Sequence, residues 1–415
     1  PETLVLTYAM HWPNRQRETV RNLRKSPFYH AMKARGAFFT ETQGWERPGW
    51  FTPEGIDPKI EYSFGRQNWF DYAQAEQKAA REDVAMIDYT MLGKLMVEGP
   101  DAEAFLQRIC TNNMAIKPGR VIYTLMLNDR GGIESDVTFA RHADNSFMMM
   151  SSISHTRRDY LHLRDHLLPE EDVKLRDVTS GFGVLGIMGP KSRDLLAVVS
   201  NVDVSNNAFP FNSFQEFYIG HARVKAQRLS YSGELGWEIF VTPDFSEHVF
   251  DVLYEAGQEF GLRLIGGEAL NALRIEKGFV HWGHDMAYTE APHQLGLGFA
   301  CKPNKSISFI GRDAYLARKE EGKGPFLCSV KLCDSSPILH QNEPVLRNGE
   351  VVGYVTAGAY GYATGSAVGL CLVSLPEGET NFEGGEFTVM VEGVKFDANV
   401  SLTPFYDPKS KNMLG

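Results

Sequence analysis

Leu229-Ser-Tyr-Ser-Gly-Glu-Leu-Gly-Trp-Glu238 and, earlier in the chain, Leu127-Asn-Asp-Arg-Gly-Gly-Ile-Glu-Ser-Asp136 are the two stretches around which the rest is organised. Each is a Gly-containing turn between two apolar runs: Val224–Tyr231 and Gly236–Val241 for the first, Val121–Leu127 and Ile133–Phe139 for the second. That pattern predicts a hairpin whose far strand presents acidic side chains. A carboxylate carried on a strand is held rigidly and can be aimed at a ligand. On composition alone Glu134, Asp136, Glu234 and Glu238 would each simply face water. Asp136 and Glu238 stand apart because each sits in an apolar strand beside aromatic or β-branched neighbours.

Working outward, 415 residues with 43% hydrophobic and 23% charged side chains suffice for two or three domains with real cores. No apolar run approaches the roughly eighteen residues of a membrane span, and Ala367–Leu375 is broken by Gly and Ser. No secretory h-region follows Pro1, and a start without Met is expected of a processed or trimmed piece. Cys110, Cys301, Cys328, Cys333 and Cys371 are odd in number, with no Cys-x-x-Cys pair. A reducing compartment is therefore expected, bacterial cytoplasm or mitochondrial matrix. A net charge of −10 argues against nucleic acid or an anionic membrane as partner. A small anionic ligand would need local Arg or Lys.

Residues 1–60, rich in Pro, Arg and aromatics, read as a strap lying across something larger, with one helix near Ser26–Arg35. From Asn68 helices are expected at Asp71–Glu82, Asp101–Cys110, His155–Leu168, Phe245–Phe260 and Glu268–Lys277, with one beginning at Pro190. Strands are expected at Leu95–Val97, Phe147–Met150, Val173–Val178 and Gly183–Met188, besides the two hairpins. Hairpins mixed with crossovers favour α+β layers over a doubly wound parallel sheet. Beyond Gly322 the helical period vanishes and short apolar runs alternate with Gly, Pro and Asn turns, which predicts a small antiparallel barrel or jelly roll. A boundary falls near Lys323, giving 61–322 and 323–415 as the two main units.

Other motifs carry less. Gly181-Phe-Gly-Val-Leu-Gly186 satisfies Gly-x-Gly-x-x-Gly, but a strand-like run continues through Ile187-Met188 and Pro190 sits at the first helical position. A dinucleotide fingerprint needs its helix to open inside the motif. His162 and His166 lie one helical turn apart without further ligands of consistent type, so a solvated face is expected there and no metal. The run His281-Trp-Gly-His-Asp285, after an amphipathic helix, has the composition of a pocket-lining loop. No Gly-x-Ser-x-Gly elbow and no partnered cysteine marks a nucleophile.

Several blocks together resemble the glycine-cleavage T-protein (aminomethyltransferase) superfamily, and more closely the folate-binding C-terminal half of dimethylglycine and sarcosine dehydrogenases. They are Gly44–Phe51, Arg66–Phe70, Tyr123–Asn128 with Gly131–Asp136, Gly183–Pro190, Tyr231–Glu238, Leu273–Gly278 with His281–Asp285, and Thr356–Tyr362. The resemblance implies an aminomethyltransferase-like folate-binding fold of ferredoxin-like α/β layers, and tetrahydrofolate as one-carbon acceptor. It implies that Asp136 lies beside the reacting folate nitrogens, that Tyr231 shares that pocket, that Glu238 holds the pterin edge and that Arg274 lies near the cofactor, toward its tail carboxylates. Trp237 and Trp282 are candidates for an aromatic wall, although strand alternation turns Trp237 away from the face of Glu238. FAD is expected only if a separate flavin domain or subunit is present. The T-protein pattern often has two adjacent acids where this chain has Ser135-Asp136, so only Asp136 carries over. An iron–sulfur-assembly branch carries a Cys in the loop equivalent to Lys277–Gly283, where this chain has Phe279 and no Cys, which disfavours that branch.

The chemistry agrees with the resemblance. A pterin presents an amino group and a ring N–H side by side, which one carboxylate can accept as a charge-assisted pair. A buried acid can stabilise developing positive charge at a folate amine and take up its proton. The leading expectation is capture of a one-carbon unit, as iminium or formaldehyde, from oxidative N-demethylation of a small methylated amine of the dimethylglycine or sarcosine type, giving 5,10-methylenetetrahydrofolate. The alternatives are a stand-alone folate-dependent demethylase or methyltransferase acting on a sulfonium, aryl ether or amine oxide, and a non-catalytic folate-binding module.

Overall fold

The computed structural model describes residues 2–375, 382 and 384–415. A ribbon of β1 (Ala37–Thr42) and β2 (Trp45–Phe51) comes first. Then follow β3 (Val84–Asp88), β4 (Gly93–Glu98), β5 (Val121–Leu127), β6 (Ile133–Ala143), β7 (Ser146–Ser151), β8 (Lys174–Asp177), β9 (Gly183–Met188), β10 (Phe214–Ile219), β11 (Ala222–Gln227), β12 (Gly236–Val241) and β13 (Leu262–Leu264). They segregate into a six-stranded sheet of order β10-β11-β12-β9-β3-β13 and a five-stranded sheet of order β5-β6-β7-β4-β8. Only the short β13 runs parallel to its neighbour, β3. This is the α+β layering that the mixture of hairpins and crossovers predicts.

The last quarter closes into a barrel. β14 (Phe326–Leu332), β15 (Pro344–Arg347), β16 (Glu350–Gly361), β17 (Ser366–Val373), β18 (Phe387–Val391) and β19 (Val394–Ser401) pair antiparallel in the order β14-β17-β16-β15-β18-β19. The apolar run of β17, Ala367–Val373 with only Gly369 inside it, has a structural reason, since the strand is buried from end to end. Ala367, Cys371 and Val373 point into the barrel core, whereas Val368, Leu370 and Leu372 pack outward against Leu125, Ile133 and Ile275 of the preceding unit. With both faces covered, a strand loses the apolar–polar alternation.

Three expectations are revised. Of the segment 1–60, residues 28–51 are built into the core rather than laid across it: Phe28, Tyr29, Met32, Phe39 and Phe51 share one cluster with Leu185 and Ile239. Short strands rich in aromatics, Pro and Arg lack the period that marks a strand in sequence. The connection from β11 to β12 is no tight turn, because the two strands pair only over Lys225–Gln227 and Glu238–Phe240, leaving 228–235 as a loop. Tyr231 therefore rides on that loop. Helix Arg312–Glu321, which the sequence reading omits, precedes the barrel. In contrast, Gly183–Met188 is a central strand and the helix after it spans Ser192–Val199, so the glycine motif opens no helix, as its context indicates.

The β5–β6 connection is the tight one. Asn128 accepts hydrogen bonds from the backbone N–H groups of Arg130 and Gly132 through Oδ1, each at 3.0 Å. Gly131 takes φ +74°, and a Cβ on Gly132 would lie 1.9 Å from the Tyr288 carbonyl oxygen. Only glycine fits both conditions. This turn fixes the β6 register on which Asp136 depends.

Candidate active site

A cavity of about 1660 Å³ lies where the two sheets, helix Gly267–Glu276 and the barrel meet, and both Asp136 and Glu238 line it. The two acids come from different sheets. Asp136 stands on β6 directly across from Leu125 of β5, so Tyr123, two residues away on the same face, sits on the diagonal. Its hydroxyl donates to Asp136 Oδ2 at 3.2 Å. Strand alternation sends Ser135 to the opposite face, where it hydrogen-bonds Asp159. Burial pushes the Asp136 carboxyl up from 3.8 to about 6, and the Tyr123 hydroxyl opposes that rise by stabilising the anion. A carboxylate poised there is ionised at neutral pH yet basic enough to accept a proton.

Glu238 of β12 is flanked by Gln227 of β11 on one side and Gly186 of β9 on the other. Directly paired residues share a face of the sheet. Gln227 donates from Nε2 to Glu238 Oε2 at 2.5 Å. Burial raises the Glu238 carboxyl, while Gln227 and the charge of Lys94 hold it down. Gly186 leaves its place in the row to the Tyr89 ring, whose Cε2 would lie 2.5 Å from a Cβ there. Gln227 Oε1 and the Tyr89 hydroxyl are buried with no hydrogen-bond partner among the described residues. Unmet buried polar atoms are costly, and these two flank Glu238, which with Tyr89 lines the cavity, as the edge of a hydrogen-bonding heterocycle would require.

Tyr231 lies on the cavity wall near Asp136 but does not hold it. Its hydroxyl donates to the Val280 carbonyl at 3.2 Å and its ring stacks on Phe279, so the residue that grips Asp136 is Tyr123. Burial keeps the Tyr231 hydroxyl well above the usual tyrosine range, hence neutral. Arg274 also reaches the wall, with its charge already met by Asp285. It donates further to Asn271 and to the Phe279 carbonyl, while Asp285 accepts from the His281 backbone and from Thr356 Oγ1 of β16. The guanidinium therefore acts first as the strut of loop 279–285, and a ligand's tail would meet an ion pair rather than a free cation.

Trp282 lines the cavity, held by its Nε1 donating to the Ile133 carbonyl at 2.9 Å and by the Arg158 guanidinium 4.2 Å over its ring. Trp237, 1% exposed, packs on Phe209 on the other side of the sheet, as alternation predicts. The remaining two acids are structural. Glu134 pairs with Arg158, and Glu234 shares Arg81 with Glu276, all three buried. Burial pushes His281 down to about 3, which leaves a neutral imidazole in the pocket-lining loop. Among the described residues no cluster of three or more His, Cys, Asp or Glu could hold a metal ion, and no helix is long and apolar enough to cross a membrane.

The reading of single residues missed Tyr123, Gln227 and Tyr89. Tyr123 was within reach, since the tight Asn128–Gly132 turn implies the β5–β6 register that sets it diagonal to Asp136. Gln227 and Tyr89 depend on a long loop and on a non-sequential strand neighbour, for which no local signal exists.

Two sheets joined to a barrel around a carboxylate-lined cavity define an aminomethyltransferase fold. Aminomethyltransferase T of the glycine cleavage system from Bartonella henselae superposes with a TM-score of 0.78 at 22% identity, over 93% of this chain and 99% of that one. Residues 28–305 match the GCVT N-terminal domain and residues 327–407 the glycine cleavage T-protein C-terminal barrel domain; the chain belongs to this T-protein family. It is 37% identical over 414 residues to 4-methylaminobutanoate oxidase (formaldehyde-forming) of Paenarthrobacter nicotinovorans, covering 100% of this chain and 50% of that protein. It is 30% identical over 456 residues to mitochondrial sarcosine dehydrogenase of Mus musculus, again covering 100% and 50%. The chain thus spans about half the length of these relatives.

Proposed function

We propose that this chain is a tetrahydrofolate-dependent one-carbon transfer unit, taking the carbon released by oxidative N-demethylation of a small methylated amine and yielding 5,10-methylenetetrahydrofolate. The observation that carries the reading is the opening of Asp136 and Glu238, from separate sheets, onto one cavity. Glu238, steadied by Gln227, accepts the paired N–H groups of a pterin edge. Trp282 and Tyr231 offer flat walls. Bound tetrahydrofolate supplies the nucleophilic nitrogens. Asp136, kept anionic with help from Tyr123, stabilises positive charge near those nitrogens and takes up the proton lost there, a contribution of ~10²–10⁴-fold. The relative named as formaldehyde-forming releases carbon at the oxidation level of a methylene group, which supports the choice of product. An oxidase that supplies this carbon, as a flavoprotein domain or subunit, is part of the same proposal.

Isothermal titration with tetrahydrofolate tests it. Wild type should bind and Glu238→Ala should bind at least tenfold more weakly, the size of a lost charge-assisted pair of about 1.5–3 kcal/mol. Equal binding by both would remove Glu238 from the pocket, and binding by neither would end the folate reading. Tight binding without turnover in an assembled oxidase would mark a non-catalytic module instead.

A further inference from the structure

Tyr89 lies outside the chemistry just described, yet its position in the cavity wall is unusual. It is 5% exposed and immediately follows β3. Its backbone N–H donates to the Val184 carbonyl, which fixes the residue against β9. The ring then occupies the space that a side chain at position 186 would take, and any Cβ there would collide with Cδ2 and Cε2. Because Gly186 is the register partner of Glu238, the ring lies on the same face of the sheet as that carboxylate. The row across three strands is Gln227, Glu238, then Tyr89 in the place left by glycine. Tyr89 is among the residues lining the cavity, and its hydroxyl is buried within electrostatic reach of Glu238 with no hydrogen-bond partner among the described residues. A donor left unmet inside a protein is costly, so a ligand that meets it is favoured over one that does not.

Resting on the folate reading, we propose that Tyr89 is a specificity-determining residue that donates its hydroxyl hydrogen to the oxo group of the bound heterocycle. The chemistry of the ring selects that atom. In a 4-oxo pterin the donor pair accepted by Glu238 is the 2-amino group and the ring N3–H. The next atom along the edge, past N3, is the carbonyl oxygen, an acceptor. Gln227 already donates to Glu238, which leaves the Tyr89 hydroxyl as the donor on the other flank of the carboxylate. The site is therefore selective for a lactam edge, donor–donor–acceptor in sequence.

The test is a two-by-two titration of wild type and Tyr89→Phe with tetrahydropterin and its 4-thioxo analogue. The analogue keeps N3–H but replaces oxygen by sulfur, a weak acceptor. Wild type should prefer the oxo compound by about tenfold, the size of one buried hydrogen bond. Tyr89→Phe keeps the ring on Gly186, and should lose that preference while binding the thioxo analogue as wild type does. An unchanged oxo preference in Tyr89→Phe would overturn the inference and leave the folate reading standing. Failure of wild type to bind either compound or tetrahydrofolate would sink both. A loss of affinity equal for the two ligands would mean that Tyr89 only shapes the wall, and would also overturn the proposal.

Discussion

Replacing Asp136 with Asn should separate activity from stability in opposite directions. The carboxyl rises from 3.8 to about 6 in the fold because burial penalises its charge. At 1.36 kcal/mol per pH unit that is about 3 kcal/mol, and the solvent side of the cavity trims it to ~1–2 kcal/mol. Since the folded value is raised, the penalty is absent below 3.8, grows as pH climbs from 3.8 to about 6, and is complete above. Asn never ionises and still accepts from Tyr123 through its amide oxygen. Asp136→Asn should therefore match wild type in urea melts near pH 4 and exceed it by ~1–2 kcal/mol at neutral pH and above. Methylene transfer, measured above the spontaneous condensation of formaldehyde with tetrahydrofolate, should fall by ~10²–10⁴-fold. Wild-type transfer should itself rise with pH through about 6. A variant that loses stability at neutral pH, or keeps its transfer rate, would refute the assignment of a strained, functional anion.

Three further perturbations follow from the same geometry. Tyr123→Phe removes the donor that stabilises the Asp136 anion, so the acidic limb of the rate profile should move to higher pH, and an unmoved limb would disconnect the two residues. Arg81→Met leaves Glu234 and Glu276 buried and unpaired, with side-chain exposures of 2% and 0%, and should cost ~3–5 kcal/mol in denaturant melts; a loss below about 1 kcal/mol would show that the network relaxes. Gly233→Ala must hold φ +85° with its Cβ 2.6 Å from Lys277 Cγ. It should cost ~1–2 kcal/mol and weaken folate binding by displacing the loop that carries Tyr231, whereas unchanged binding would show that the loop is not part of the pocket.

The parts of this architecture that were legible in sequence are those with a local cause. β6 and its turn announce themselves through Asn128, Gly131 and Gly132, so Asp136 could be placed on a strand aimed inward. The barrel was readable from its short runs and turns, and β17 from an apolar stretch without polar alternation, which two flanking cores explain. What stayed hidden depends on neighbours distant in the chain. The ribbon β1–β2 looked like a strap because its side chains are buried against several different neighbours rather than on one periodic face: Phe39 and Phe51 join the core of the six-stranded sheet, Trp50 stacks on Phe38 and Trp69, and Arg47 lies against Gly267. Arg274 looked free for an anionic tail because its partner Asp285 lies beyond a loop that reverses direction. Tyr231 shares the pocket, but its loop aims the hydroxyl at Val280 and leaves the acid to Tyr123, whose place follows from the β5–β6 register.

The most direct measurement is a crystal structure of the chain soaked with a reduced folate. The account predicts a pterin in the central cavity with its amino edge on Glu238, its oxo group toward Tyr89 and its reacting nitrogens on the side of Asp136. A folate bound elsewhere, or turned with its glutamate tail toward Glu238, would contradict it.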